Sequence, residues 1–222
     1  MEHIINRVRT DDREIIVCTS LDKSNNPIIE LCKKHEIRFF RGSEENKIKR
    51  WHDCFLENSL EYAHLLDADD PFFCNDEIED SLTTYLASGK AILATAKSKS
   101  GNASVGITLG INHLKLLNRR VRNLQAFEMV EDLLEEELKF ETSEIDSRDP
   151  IPHGTRLTLD YFEDYLALSV IKSKLGTTAT RSELGNLIST NPWILELNQL
   201  KNIEWKERQS RILQEQRGSD EQ

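Results

Sequence analysis

Residues 14–40 read EIIVCTSLDKSNNPIIELCKKHEIRFF. Glu14–Ser20 is short, apolar and rich in β-branched residues, the pattern of a buried strand. Pro27 then stands where proline is favoured at a helix start, and Ile28–His35 alternates apolar and charged residues with helical spacing. Ile37–Phe40 is a second short apolar run. The stretch is therefore strand, helix, strand. Working outward, the rhythm repeats: a helix over Asn46–Asn58, a strand at Tyr62–Leu66, a helix over Cys74–Ser88 capped by Asn75 or Asp76, and a strand at Ala91–Ala94. Strands alternating with helices at this spacing predict an α/β fold with a mostly parallel sheet flanked by helices. In such sheets ligands bind beyond the carboxyl ends of the strands, which directs attention to the segments after Ser20, Phe40 and Leu66.

The remainder is less regular. Lys97–Asn102 (KSKSGN) reads as a loop, Val105–Ile111 as a strand, Leu124–Leu138 as an acidic helix and Thr142–Gly154 as a loop. Arg156–Leu159 has the character of a short strand. Asp160–Leu175 is predicted helical, closed by Gly176 at the position where glycine ends helices. Thr180–Leu200 reads as two short helices broken at Asn191-Pro192. These boundaries give one domain over residues 1–204 and a polar tail over 205–222, with no internal repeat.

The chain has 222 residues and a formal net charge of -10, which argues against nucleic-acid wrapping as its main task. Its length suffices for a core without disulfide or metal staples. Cys18, Cys32, Cys54 and Cys74 form no CxxC pair and sit in apolar contexts, as buried reduced thiols do. Met1–Thr10 has no apolar signal-peptide core, and no apolar run approaches the ~20 residues that a bilayer requires. The expectation is a soluble, cytoplasmic protein that binds neither membrane nor nucleic acid.

Two segments carry chemistry. Asp67-Ala68-Asp69-Asp70-Pro71-Phe72 follows an apolar strand directly, and carboxylates this close repel unless a cation, donors or water screens them. A hard cation such as Mg²⁺ needs few protein carboxylates when phosphate oxygens complete its shell. The other reading is a capped, solvated acidic turn. Arg156–Tyr165 (RLTLDYFEDY) repeats the arrangement, with Asp160 at a strand end; here the simpler reading is that Asp160 caps the helix that follows. Arg41-Gly42-Ser43-Glu44 follows the second strand. There Gly42 permits close backbone approach, and Arg41 and Ser43 offer polar contacts to a ligand.

Taken in order, these segments resemble the cytidylyltransferase family that activates acidic sugars, in particular the spore-coat polysaccharide biosynthesis type beside the CMP-sialic acid and CMP-ketodeoxyoctonate synthetases. Ile15–Pro27 resembles that family's strand followed by T-S-x-x-x-x-D-D-P, with Asn25 and Asn26 in place of the aspartates. Arg41–Arg50 (RGSEENKIKR) resembles R-G-S-x-x-D-V-L-x-R, with Asn46 for Asp. Ala68–Phe72 (ADDPF) is similar to the family's metal turn, Leu157–Tyr165 to its L-T-x-D-x-x-E-D segment, and Leu187–Asn198 (LISTNPWILELN) to its L-x-x-N-P-x-x-x-x-x-N helix. The resemblance spans roughly residues 3–200.

It implies a three-layer, Rossmann-like fold of the nucleotide-diphospho-sugar transferase type, with CTP and an acidic sugar as substrates. Mg²⁺ would lie on Asp69 and Asp160, and Thr19, Ser20, Arg41 and Ser43 would face the nucleotide. Arg119, Arg120 and Arg122 (in NRRVRN) are candidates for the sugar carboxylate, or else a solvated basic face. The acceptor pocket would fall within Thr95–Leu138, as would the surface of a homodimer. The family's opening strand and its phosphate loop, A-R-x-G-S-x-R-x-P-x-K, have no counterpart in the 222 residues, because Glu2–Arg7 already matches the helix after them. The sheet is thus expected to lack its first strand, and the chain is expected to release no pyrophosphate from CTP. The alternatives are a metal-dependent glycosyltransferase built on Asp67-Ala68-Asp69, a phosphatase with Asp67 as nucleophile (disfavoured by Pro71), and a non-catalytic binding protein.

Overall fold

A computed structural model describes residues 1–10, 12–73, 75–93, 106–120, 142–144, 151–152, 154–205, 207–208 and 211. The chain forms two compact units: Met1–Ala68 with Cys74–Thr95 and Val105–Asp146, and Asp69–Phe73 with Ala96–Ser104 and Ser147–Gln222.

The first unit is mixed α/β. Helix α1 (Glu2–Val8) precedes β1 (Ile16–Ser20), α2 (Asn26–Lys34) and β2 (Arg38–Gly42). Then come α3 (Lys47–Glu57), β3 (Tyr62–Leu65), α4 (Asn75–Ser88), β4 (Ala91–Leu93), β5 (Ile107–Gly110), α5 (Ile111–Arg120) and β6 (Thr142–Glu144). Strands β1 and β2 pair in parallel, Ile16 beside Arg38 and Ser20 beside Gly42. The other four strands form a second sheet in the order β3-β5-β4-β6. The expectation of a mostly parallel sheet is corrected here: β5 runs antiparallel to both β3 and β4, while β4 and β6 are parallel. A strand buried on both faces reads the same in either direction, so the apolar run at Ile107–Leu109 could not reveal its sense.

Burial follows the helical and strand periods. Ile48, Trp51 and Phe55, on one face of α3, meet Ile107 and Leu109 of β5 and Leu114 and Leu117 of α5, with Cys18, Ala63 and Leu65 packed against them. The Asn46 side chain accepts from the Lys49 N–H and caps α3. Thr108 points to the opposite face, where its hydroxyl lies 2.6 Å from Ser81 Oγ of α4 and 2.9 Å from His64 Nδ1. Gly106 has φ of +82°, and a Cβ there would stand 2.1 Å from the Leu65 carbonyl oxygen, so the entry to β5 requires glycine.

The second unit is helical: α6 (Phe162–Leu175), α7 (Arg181–Thr190) and α8 (Trp193–Glu196), with residues 199–205 also helical. Phe72, Ile151 and Leu157 join Leu168, Ile171, Leu184, Ile188 and Ile194 in its core. Gly176 closes α6 with φ of +76°, as the sequence indicates. Thr180 and Glu183 cap α7 reciprocally. Two expectations are corrected. Arg156–Leu159 is not part of a sheet. Strand β6 also lies within the segment read as a loop. The acidic helix at Leu124–Leu138 and most of Thr95–Leu138, including Arg122, lie outside the described residues.

Leu109 is fully buried in β5, whereas Leu21 is exposed beyond β1. Leu109→Ala is expected to lower stability by about 2–5 kcal/mol and Leu21→Ala by less than about 0.5 kcal/mol, read from urea unfolding midpoints.

Candidate functional site

In the first unit the carboxyl ends of β1 and β2 bring together the four residues expected to face a nucleotide. Thr19 stands beside Arg41, and Ser20 beside Gly42. Their polar atoms serve the loop after β1. Arg41 donates from Nε to the Ser20 carbonyl (3.0 Å), from Nη2 to the Asp22 carbonyl (2.7 Å) and from Nη1 to Asn26 Oδ1 (3.1 Å). Asn25 Nδ2 donates to Ser20 Oγ at 2.7 Å. Ser43 Oγ accepts from the Asn46 N–H at 3.2 Å, and Arg50 donates to the Ser43 carbonyl at 2.6 Å. The hydrogen bond from Ser24 holds the Asp22 carboxyl below its ordinary value. Arg41 is thus the staple of a turn. Gly42 answers to its own neighbours: a Cβ there would lie 2.7 Å from Phe40 Cε1 and 3.0 Å from Arg50 Cγ.

Asp67 closes the first unit's part of the acidic turn and is paired with Lys47 at 2.6 Å. Asp69 belongs to the second unit, as does Asp160. The Leu159 N–H donates to the Asp69 carbonyl oxygen at 2.8 Å, which sets the backbones of the two segments side by side. Both aspartates are exposed. The second unit therefore presents Asp69 and Asp160 on adjacent backbone, with Asp160 at the end of an extended segment rather than of a strand.

Asp160 is not the helix cap. Tyr161 holds that position, and Asp164 accepts from the backbone N–H of Asp160 (3.1 Å) and of Tyr161 (3.0 Å). Arg156 donates to Asp164 from Nε (2.8 Å) and Nη2 (3.1 Å), and from Nη2 to Asp160 Oδ2 (2.5 Å). Asn198 Nδ2 donates to Asp164 Oδ1 (2.9 Å) and to the Arg156 carbonyl (3.1 Å). Burial works against the Arg156 charge, but the hydrogen bonds and charges of Asp164 and then Asp160 outweigh it and hold its pKa above the ordinary arginine value. Arg156, Asp164 and Asn198 are thus part of the site's architecture, and the motif reading gave Arg156 no role. Its pairing partner is eight positions away, across the change from extended segment to helix, and Asn198 lies 34 positions from Asp164.

Among the described residues no group of three or more His, Cys, Asp and Glu side chains is arranged to hold a metal ion. The candidate pair is Asp69 and Asp160, and Asp160 is paired with Arg156. Oxygen donors in that number suit a hard cation whose other ligands are phosphate and water, and do not suit a fully protein-caged ion. No helix among the described residues is long and apolar enough to cross a membrane.

No family model and no curated protein matches the chain. Among solved structures, a cytidylyltransferase from Leptospira borgpetersenii serovar Hardjo-bovis (strain JB197) is similar, with a TM-score of 0.75 and 20% identity over 87% of this chain and 84% of that chain. The chain shares that protein's fold.

Asp164 is completely buried beneath its donors, whereas Asp160 is partly exposed. Asp164→Ala is expected to cost about 3–5 kcal/mol in chemical denaturation, because it leaves Arg156 buried without its main partner. Asp160→Ala is expected to cost less than about 1 kcal/mol.

Proposed function

We propose that the chain is a nucleotidyltransferase-type protein that handles CTP and an acidic sugar, with Asp69 and Asp160 as its cation-holding carboxylates. The observation that carries this reading is the Leu159–Asp69 hydrogen bond, which joins two aspartate-bearing segments far apart in sequence. The fold shared with a cytidylyltransferase supports the same class. The nucleotide, the sugar and the roles of Thr19, Ser20, Arg41 and Ser43 come from the motif resemblance.

In the reaction of this class a sugar hydroxyl attacks the α-phosphate of CTP and pyrophosphate leaves; the 222 residues, which hold no A-R-x-G-S-x-R loop, are expected to bind CTP without releasing pyrophosphate. Transfers of this kind ask the protein for positioning and charge neutralisation more than for covalent chemistry. Mg²⁺, when bound, would neutralise phosphate charge. Arg156 fixes the orientation of Asp160 and is itself fixed by Asp164 and Asn198. Because Arg156 already draws on one Asp160 oxygen, the pair suits a cation that arrives with its nucleotide rather than a resident ion.

Isothermal titration of the chain with CTP, with and without Mg²⁺, tests the reading. Mg²⁺-dependent CTP binding is expected, weakened at least about tenfold by either Asp69→Asn or Asp160→Asn, with ATP binding more weakly. No nucleotide binding would overturn it. Loss with Asp69→Asn but none with Asp160→Asn would favour a glycosyltransferase-type D-x-D site instead.

A further inference from the structure

Cys18 and Cys54 come from different layers of the first unit. One stands in the middle of β1 and the other in the last turn of α3, which packs on β1. Their side chains meet: the two sulfurs share a hydrogen bond, and both are free thiols. The contact is held from either side. Cys18 lies against the cluster that includes Trp51 and Phe55 of α3, and the register of the small sheet sets it beside Phe40 of β2. Cys54 is only 2% exposed, whereas Cys18 is half-buried, so solvent approaches the pair from the β1 side.

The surroundings set this pair apart from cysteines that only fill a core. Asn58 Nδ2 donates to the Cys54 carbonyl at 2.8 Å and to Cys54 Sγ at 3.6 Å. Arg38 donates to Asn58 Oδ1, which fixes the amide with its N–H side toward the sulfur. The hydrogen bond from Cys18 holds the Cys54 thiol below its ordinary value; burial and Glu57 oppose it, and Asn58 and Arg38 assist. The same bond pushes the Cys18 thiol up, so the pair's proton stays on Cys18 and its negative charge collects on Cys54. The thiolate is the nucleophilic form of cysteine, and donors beside a sulfur favour it. Cys32 of α2 is the contrast: it is fully buried, and burial pushes its thiol up.

We propose that Cys18 and Cys54 form a redox-active dithiol that hydrogen peroxide closes to a disulfide. The Cys54 thiolate attacks one peroxide oxygen and the O–O bond breaks. The sulfur becomes a sulfenic acid, and the departing hydroxide takes a proton from solvent and leaves as water. The Cys18 sulfur then attacks the Cys54 sulfur. The S–O bond breaks, and the Cys18 proton leaves with that oxygen as a second water. Two thiols and one peroxide thus become one disulfide and two waters, and a small free thiol reverses the change by exchange. The bond ties the middle of β1 to the last turn of α3. Thr19 and Ser20 follow Cys18 directly, so oxidation fixes to α3 the strand end that carries them.

Limited hydrogen peroxide on the folded 222-residue chain, followed by alkylation in denaturant and peptide mass mapping, tests this. A Cys18–Cys54 disulfide is expected to form within one chain, at least about tenfold faster than Cys32 is oxidised, and to revert with dithiothreitol. In Cys18→Ala the sulfenic acid on Cys54 lacks its partner thiol and should be trapped by dimedone. In Cys54→Ala the same dose should leave Cys18 a thiol. In urea the preference should vanish, because only the fold brings the two sulfurs together. The proposal is overturned by oxidation of the pair no faster than of Cys32, by pairing of either cysteine with Cys32 or Cys74 in comparable yield, by disulfides only between chains, by dimedone trapping on Cys18 in place of Cys54, or by the same preference in urea. The first map uses the unaltered chain, so it decides even where a variant fails to fold. None of these readouts involves a nucleotide, so the result is independent of the proposed activity.

Discussion

The carboxylate of Asp164 receives donors from five directions: two from the Arg156 guanidinium, two from backbone N–H groups and one from Asn198. Neither Arg156 nor Asp164 is accessible enough for water to share the task. Taking two charges out of water costs several kcal/mol each, and only near-complete hydrogen bonding offsets it. That demand ties together three distant parts of the second unit. The extended segment at 156–161, the start of α6 and the turn at Asn198 must all be in place before the pair is satisfied. Asp160 inherits its position from this arrangement, because its own N–H is held by Asp164 and its carboxylate by Arg156.

The same constraint explains why Asp160 does not cap its helix. A cap accepts from N–H groups in the first turn; here Tyr161 holds the cap position, and Asp164, inside the helix, reaches back to the N–H groups of Tyr161 and of Asp160 one residue outside it. Asp160 is left pointing outward with one oxygen on Arg156. The Leu159–Asp69 bond then brings the acidic turn alongside. Two exposed carboxylates on neighbouring backbone repel each other, and the adjacent arginine charge relieves part of that repulsion.

The strand–helix alternation was legible because each element buries one face, and burial leaves a period in the sequence. β1, β2, β3 and helices α2, α3 and α4 lie within a few residues of where that period puts them. α5 was not legible, because Gly110 joins it to β5 without a break and the apolar residues run on. Strand direction left no trace at β5. Arg156–Leu159 looked like a strand by composition, but a strand is defined by its partners, and this segment offers Asp69 a single hydrogen bond in place of a ladder. Of the site, the two aspartates stood out as charges at the ends of apolar runs. Arg156 did not, since its purpose appears only once Asp164 and Asn198 are brought beside it.

The two edges of the small sheet differ in a way that composition explains. β2, at the outer edge, carries Arg38 and Arg41; Arg38 is paired with Glu14, and Arg41 is committed to the loop after β1. Charges on an edge strand discourage further pairing, because an approaching strand would have to desolvate them. β1, at the other edge, is Ile-Val-Cys-Thr-Ser and carries none. One sheet thus has an edge built to stay in water and an edge that is not, and the second of these lies on the side that shares a core with β3.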